Sequence, residues 1–242
     1  MVDENRPDPW PQAPVMSRLR ATGYADSGGH HAGTFPTETL AAIERLLPSQ
    51  MSVTAETGCG KSTIFFSNVS REHHVFTYDD RGGEASSVDY YVKCTLTRLD
   101  RVVTHFGPTQ RTVPSFEHPA DYDAVLLDGP HGWPFPELEY YYFYPKIRTG
   151  GFLIVDDLAI PTIGRMADVL AEDEMWALRA VAGSNTAIFQ RTEAPCFDPL
   201  GDGWWTQRFN RRRVSPRREI FLPAADLKDE VSSLNLDRKL SG

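Results

Sequence analysis

Cysteine is scarce in this chain of 242 residues, which contains only Cys59, Cys94 and Cys196. They are widely spaced, odd in number and without a CxxC pair, so they indicate neither a disulfide framework nor a structural zinc site. This usage excludes a small disulfide-stapled secreted domain and fits a reducing compartment best.

Long hydrophobic runs are also missing. The longest have the length of a strand, well below the ~18 residues that a membrane-spanning helix needs. The acidic, proline-rich segment 1–16 has no apolar core of the kind that a signal peptide carries. We therefore expect a cytoplasmic protein without a membrane span.

Positive charge is in the minority, with 25 Lys and Arg against 33 Asp and Glu and a net charge of −8 at pH 7. Such a chain is repelled by phosphate backbones, so we expect no nucleic-acid partner. A local exception is the basic run of six arginines from Arg208 to Arg218. It is either a patch for an anionic ligand or a solvated face paired with the acidic body, and the sequence leaves both open.

Strand-like and helix-like segments alternate through the middle of the chain. The strand-like segments are MSVTAE, HHVFTYD, RVVTHF, DYDAVLLDG and GGFLIVDD. Their alternation with helical segments predicts an α/β fold with a parallel sheet between helices and a ligand site at the carboxyl ends of the strands. Two further strand-like runs, MWALRAV and TAIFQRT, are joined only by AGSN, which permits an antiparallel hairpin and no parallel crossover.

These segments define the expected domain organisation. We expect an irregular N-terminal arm over residues 1–36 that is a candidate lid, a core over 37–193, and a C-terminal extension over 194–242 with the basic run.

The segment AETGCGKST, from Ala55 to Thr63, lies between the first strand and a helix and has two interpretations. In the first it is a phosphate loop of the type GxxxxGK[ST], with Ala55 in place of the usual first glycine. Lys61 would then contact phosphates and Ser62 would hold magnesium. This interpretation predicts a nucleotide hydrolase or kinase.

In the second interpretation the same segment binds a nucleoside. The pattern Glu56-x-Gly58-x-Gly60 closes the first strand, and its glycines let the backbone approach an adenosyl-type ligand closely. The next strand ends at Asp79, 19 residues after Gly60, with Asp80 beside it. That spacing places a carboxylate within reach of ribose hydroxyls.

With this loop, this spacing and the final hairpin, the sequence resembles class I S-adenosylmethionine-dependent methyltransferases over roughly Phe35 to Thr192. The resemblance implies a Rossmann-like three-layer α/β/α sandwich with a seven-stranded mixed sheet of order 3-2-1-4-5-7-6 and an antiparallel last strand. HFGPTQ is similar to a loop that this family places beside the adenine. The implied cofactor-binding residues are Glu56, Thr57, Gly58, Cys59, Gly60, Ser62, Asp79, Asp80, Gly107, Thr109 and Asp128.

Three carboxylates follow neighbouring strands, Asp128 in LLDGPHG and the pair Asp156 and Asp157 in LIVDD. Clustered carboxylates repel one another unless a cation joins them, and magnesium is a hard cation suited to oxygen ligands. The arrangement looks like that of catechol-type O-methyltransferases, with Asp157 at the position of an Asn, which implies a metal site at Asp128, Asp156 and Asp157. The alternative is that Asp156 and Asp157 cap the following turn without a metal.

Those enzymes carry a lysine base three residues after the first metal-binding aspartate, and here that position is His131. An imidazole suits proton removal from a hydroxyl, so His131 and Asp128 are the candidate catalytic residues. Asp-x-x-His is also similar to metal-dependent enzymes that methylate sugar hydroxyls. The resemblance thus implies magnesium-assisted O-methylation of a small hydroxylated acceptor, with a sugar or glycan as a candidate.

Two other functions stay open at this point, the phosphate-loop enzyme described above and a non-catalytic adenosyl-binding subunit. Assembly into a homo-oligomer also stays open.

Overall fold

The computed structural model describes residues 14–24, 35–78, 86–117, 121–196 and 203–213. The chain divides into two compact units, Met1–Gly203 and Trp204–Gly242. Asp79 and Asp80, two of the predicted cofactor-binding residues, lie outside the described residues.

Within the described residues, seven strands form one sheet. They are β1 (Met51–Thr57), β2 (Ser70–Thr77), β3 (Val102–Phe106), β4 (Tyr122–Leu127), β5 (Ile147–Val155), β6 (Trp176–Ala182) and β7 (Thr186–Arg191). Their order is β3-β2-β1-β4-β5-β7-β6. The first five pair in parallel, and β7 pairs antiparallel with both β5 and β6. The predicted sheet order and the predicted antiparallel hairpin are confirmed.

The described residues form eight α-helices. They are α1 (Val15–Ala21), α2 (Thr37–Leu46), α3 (Lys61–Val69), α4 (Ser87–Lys93), α5 (Thr109–Ser115), α6 (Phe135–Phe143) and α7 (Pro161–Glu172) in the first unit, and α8 (Arg208–Arg213) in the second. The sequence analysis did not predict α5, whose interior Pro114 is an unfavourable helix residue.

Helix α1 lies inside the segment that the sequence analysis assigned to an irregular arm. Its apolar residues Val15, Met16 and Leu19 are buried in the core. The carboxylate of Glu44 on α2 accepts hydrogen bonds from the backbone amides of Val15 and Met16. Burial against α2 and a carboxylate at the first amides therefore stabilise a helix of only 7 residues.

The core lies on both faces of the sheet. Strand β4 is buried at every position, as expected of a central strand of a parallel sheet. One apolar cluster includes Phe66, Leu126 and Ile154, and the other includes Leu127 and Val155. No helix among the described residues is long and apolar enough to cross a membrane. The strand ends that carry the predicted site residues are thus fixed by a core on each side.

The second unit is described over residues 204–213. The rings of Trp204 and Trp205 are 6.0 Å apart in an edge arrangement, and the guanidinium of Arg213 lies 3.8 Å from the centre of the Phe209 ring. The part of the basic run that falls in α8 is exposed at its arginines. Arg217 and Arg218 lie outside the described residues.

Candidate active site

A cavity of about 660 Å³ opens at the carboxyl ends of β1, β2, β4 and β5. This is the size of a small-molecule site, and the carboxyl edge of a parallel sheet is where such folds bind ligands. Its described lining is Phe35, Pro36, Gly58, Cys59, Phe76, Thr77, Tyr78, Ser87, Pro108, Thr109, Gln110, Asp128, Gly129, Pro130, His131, Phe135, Asp156, Asp157 and Asn185.

The cavity brings together some of the residues predicted from the sequence and leaves others out. Those that line it are Gly58, Cys59, Thr109, Asp128, His131, Asp156 and Asp157. Those outside this lining are Glu56, Thr57, Gly60, Ser62 and Gly107. The predicted residues that line the cavity therefore come from its glycine-loop end, from its carboxylate end and from Thr109 after β3.

The glycine loop has a backbone that other residues would not adopt. Gly58 has φ 81° and Gly60 has φ 149°, both in the region that favours glycine. A Cβ on Gly58 would lie 2.2 Å from the carbonyl oxygen of Asp128. The loop therefore packs directly on the end of β4, which leaves its backbone as the surface offered to the cavity.

Glu56 lies in the interior rather than at the cavity. Its side chain is fully buried, 3.2 Å from Nε2 of His73, and it accepts a hydrogen bond from the hydroxyl of Thr63 in the first turn of α3. His73 in turn contacts the hydroxyl of Thr54 through Nδ1 at 2.8 Å. The carboxylate of Glu56 thus connects β1, β2 and α3, and its predicted role in cofactor binding stays a prediction.

Lys61 does not face the cavity. It is buried, and its Nζ donates a hydrogen bond of 3.0 Å to Oγ1 of Thr37 at the start of α2. Ser62 is buried as well. A phosphate loop would direct both side chains at the ligand, so this geometry does not support the phosphate-loop interpretation.

Cys59 and the loop after β3 form one wall of the cavity. Sγ of Cys59 lies 3.3 Å from Oγ1 of Thr77 at the end of β2. Gly107, with φ 137°, donates its amide to the carbonyl of Thr77 at 2.9 Å and turns the chain so that Thr109 faces the cavity. Gly107 thus shapes the wall without lining it.

At the other end of the cavity, His131 lies between two carboxylates. Its Nε2 is 2.7 Å from Oδ2 of Asp157 and 3.7 Å from Oδ1 of Asp128. One ligand atom from each of these three side chains lies within 4.8 Å of the others. Asp128 is the least exposed of the three. The arrangement can hold a cation, or a proton on the imidazole.

The pKa values follow from this crowding. Burial, together with the charges of Asp156 and Asp157, raises the pKa of Asp128 to about 7. The hydrogen bond with Asp128 and the nearby carboxylates raise the pKa of His131 above its ordinary 6.5. The surrounding carboxylates thus favour the protonated, positively charged form of the imidazole.

Asp156 and Asp157 have different surroundings although they are neighbours in sequence. Asp156 is buried, and its Oδ1 accepts a hydrogen bond from the hydroxyl of Thr186 on β7. Asp157 has φ 62° and its Oδ1 accepts a hydrogen bond of 3.0 Å from Nδ2 of Asn185. His131 thus lies with Asp128 and Asp157, while Asp156 bonds to β7, and the metal site predicted at the three aspartates stays a prediction.

Asn185 is a residue of this site that the sequence analysis missed. It lies in the β6–β7 turn, where its carbonyl accepts from the amide of Leu158 and its Oδ1 from the amide of Ala159. Together with the bond to Asp157, these contacts hold the chain just after β5. The only signal was the turn sequence AGSN, which identified a hairpin but gave no indication of what its asparagine would contact.

Comparison with known proteins supports the resemblance seen in the sequence. A family model described as a methyltransferase domain matches residues 55–158, which include the glycine loop and all three carboxylates. No curated protein matches the chain in sequence.

Solved structures share the fold at low sequence identity. The O-methyltransferase TomG from Streptomyces achromogenes, in complex with S-adenosylmethionine, is 16% identical, with a TM-score of 0.52 and coverage of 76% of this chain and 92% of TomG. An O-methyltransferase from Bacillus cereus, in complex with S-adenosylhomocysteine, is 14% identical with a TM-score of 0.52, over 76% and 92% of the two chains.

A third structure is the methyltransferase MycE of the mycinamycin biosynthetic pathway, in complex with Mg, S-adenosylhomocysteine and mycinamycin VI. It is 14% identical with a TM-score of 0.50, over 78% of this chain and 58% of MycE. Residues 55–158 therefore match a methyltransferase domain, and the chain has the fold of S-adenosylmethionine-dependent methyltransferases.

Proposed function

We propose that this protein transfers a methyl group from S-adenosylmethionine to a hydroxyl group of a small-molecule acceptor, with a sugar or glycan hydroxyl as the first candidate. The observation that carries the proposal is the position of His131. Its imidazole lies against Asp128 and Asp157 on the wall of the same cavity that Gly58 and Cys59 line. The proposed base and the loop proposed to bind the nucleoside therefore line the same cavity.

The cavity suits an adenosyl cofactor at the glycine-loop end. Gly58 offers only backbone there, and Phe76, Thr77 and Thr109 add one apolar and two hydroxyl-bearing surfaces. S-adenosylmethionine would supply an activated methyl group, so the chain needs no nucleophile of its own. The cofactor complexes of TomG and the Bacillus cereus enzyme, which have this fold, support this assignment.

The carboxylate end fits a divalent cation. Asp128 and Asp157 present oxygen atoms close together, which is the ligand type that magnesium prefers. A bound cation would neutralise the carboxylates and lower the pKa of an acceptor hydroxyl. MycE contains Mg in its complex. We propose Asp128 and Asp157 as the ligands, because Oδ1 of Asp156 is already bonded to Thr186.

His131 acts as the general base in this mechanism. Its neutral imidazole accepts the proton of the acceptor hydroxyl, and Asp157 orients the ring from 2.7 Å. The residues around the cavity hold acceptor and methyl donor in line and exclude water, which is the main contribution a protein makes to a displacement of this kind.

The test is direct. The protein is incubated with S-adenosylmethionine and a panel of sugars and catechols, with magnesium or with EDTA, and S-adenosylhomocysteine and the methylated product are measured by mass spectrometry. We expect product with wild type and a large loss in Asp128→Ala and His131→Ala. Cofactor binding without turnover for any acceptor of the panel would instead support the non-catalytic adenosyl-binding subunit.

A further inference from the structure

Glu139 is a buried carboxyl group behind the cavity that the mechanism above does not use. It lies on α6 and is only 3% exposed. Its Oε2 accepts a hydrogen bond of 2.7 Å from Oγ1 of Thr57, the last residue of β1. Oγ1 of Thr57 in turn accepts a hydrogen bond of 3.2 Å from the backbone amide of Asp128. Glu139 therefore reaches Asp128 through a single hydroxyl group.

The same carboxyl group packs on the residue after Asp128. A Cβ on Gly129 would lie 2.6 Å from Oε1 and 2.9 Å from Oε2 of Glu139, and 2.9 Å from Cβ of Thr57. Real side chains do not approach so closely, so Gly129 lies directly against the carboxyl. Thr57 thus fixes the backbone amide of Asp128, and the carboxyl of Glu139 fixes the position of Gly129.

The hydroxyl of Thr57 donates one of these hydrogen bonds and accepts the other. A threonine hydroxyl has one proton, and here it is given to Glu139, which leaves a lone pair to accept from the amide of Asp128. Hydrogen bonds arranged in a chain strengthen one another. Without the carboxyl, the Thr57 hydroxyl is free to rotate and to place its proton where it opposes the amide.

Packing alone does not require a carboxyl group at this position. Apart from Thr57, only the hydroxyl of Thr109 bonds the buried carboxyl of Glu139, and Oε1 has no hydrogen bond of good geometry among the described residues, which is unfavourable for a polar atom. An apolar side chain of similar volume would fill the space without that penalty. The carboxyl therefore points to a role beyond core packing.

We propose that Glu139 is a positioning residue for methyl transfer, which holds the backbone of Asp128 through Thr57 and fixes, at Gly129, the start of the turn that carries His131. The hydrogen-bonded chain stands on the structure alone, and its effect on turnover rests on the proposed function. Neither Glu139 nor Thr57 lines the large cavity, so both act through Asp128 and His131.

Four substitutions separate positioning from packing. Glu139→Gln keeps an oxygen that accepts from Thr57, whereas Glu139→Ala removes it. Thr57→Ser keeps the hydroxyl and Thr57→Val removes it with little change in shape. Glu137→Ala is the matched control, since it removes a carboxyl from the same helix two residues away.

Two readouts are used. In the ¹⁵N-HSQC spectrum, Glu139→Ala and Thr57→Val are expected to shift the amide signals of Asp128 and Gly129, while Glu139→Gln, Thr57→Ser and Glu137→Ala leave them near wild type. In methyl-transfer assays, the same two variants are expected to lower kcat about 10- to 100-fold, the scale of a small misplacement of catalytic groups. Their Kd for S-adenosylhomocysteine should change by less than about threefold, or under 1 kcal/mol.

The double variant Glu139→Ala/Thr57→Val should lose no more activity than Thr57→Val alone, because both act through one chain. Additive losses would overturn the proposal. Amide signals of Asp128 and Gly129 that stay at wild-type positions in Glu139→Ala, or a Glu139→Gln variant as impaired as Glu139→Ala, would overturn it too. If the wild type binds S-adenosylhomocysteine but methylates no acceptor, the proposed function fails, and the amide shifts still decide the positioning role.

Discussion

The imidazole Nε2 of His131 lies 2.7 Å from Oδ2 of Asp157, a residue 26 positions further along the chain at the end of the adjacent strand. Parallel pairing of β4 with β5 places the residues after both strands at one edge of the sheet. Asp128, at 3.7 Å from the same nitrogen, completes the contact. The sheet topology therefore brings His131, the proposed base, next to the carboxylate of Asp157.

This contact makes the rate of methyl transfer dependent on pH. The hydrogen bond with Asp128 and the charge of Asp157 raise the pKa of His131 above 6.5, and a base must be neutral to accept a proton. Activity should therefore rise with pH through a pKa above 6.5. Asp157→Asn removes one of the charges, and asparagine tolerates the φ of 62° found there. We expect the acid limb of kcat/KM against pH to move to lower pH in this variant. An acid limb at the wild-type position would contradict the effect of the Asp157 charge on the pKa of His131.

Gly58 should tolerate no side chain. Gly58→Ala combines a φ of 81° with a Cβ only 2.2 Å from the carbonyl oxygen of Asp128. We expect it to destabilise the fold by about 2–4 kcal/mol, from unfavourable backbone and overpacking together, and to weaken binding of S-adenosylhomocysteine. Urea unfolding and titration calorimetry measure the two effects.

Gly23→Ala is the matched control for that substitution. Gly23 has φ 69° but nothing within 4 Å of an added Cβ, so only the backbone penalty of about 1 kcal/mol applies. Equal losses of stability in the two variants would show that the close approach to Asp128 is unimportant.

Substitution of the three aspartates should affect the affinity for a divalent cation to different extents. Asp128→Ala and Asp157→Ala each remove a proposed ligand, so their affinity for Mn²⁺, measured by electron paramagnetic resonance as a probe for magnesium, should fall well below that of wild type. Asp156→Asn keeps an oxygen for the Thr186 hydroxyl and should bind Mn²⁺ almost as wild type does. Loss of binding in Asp156→Asn as large as in Asp128→Ala would restore Asp156 as a ligand.

Glu139 should make the stability of the fold fall as pH rises. Burial raises the pKa of Glu139 from its ordinary 4.5 to about 7, so the folded chain binds this proton more tightly than the unfolded chain does. The resulting stability is present in full below pH 4.5 and is lost as pH rises through 7. For a shift of this size the change is about 3 kcal/mol. Glu139→Gln has no such proton, so its unfolding free energy should decline less between pH 5 and pH 8 in urea titrations, and an equal decline would refute the assignment.

Much of the fold could be predicted from the sequence. Central strands such as β4 are apolar at nearly every position because both faces are buried, and a four-residue link at AGSN excludes a parallel crossover. Asp128 and Asp157 could be placed at one edge because residues that follow parallel strands meet there. Helix α1 could not be predicted from the sequence, because its stability comes from burial against α2 and from the carboxylate of Glu44.

The parts of the site that the sequence did not reveal depend on partners distant in the chain. Glu56 lies near the end of β1 as the resemblance requires, but its carboxylate contacts His73 on the neighbouring strand β2. Glu139 stands in a run of aromatic residues, and its link to Thr57 spans 82 positions. Asn185 looked like an ordinary turn residue. Such contacts are set by which helix covers which strand end, and local patterns do not encode that choice.

In the proposed function, the cavity beside Gly58 binds a sulfonium nucleoside and not a nucleoside triphosphate. Titration calorimetry of the full chain with S-adenosylhomocysteine, and separately with magnesium ATP, tests it most directly. We expect saturable heat with S-adenosylhomocysteine, weaker binding of it in Gly58→Ala, and no heat with magnesium ATP. Saturable binding of magnesium ATP with no heat from S-adenosylhomocysteine would contradict it.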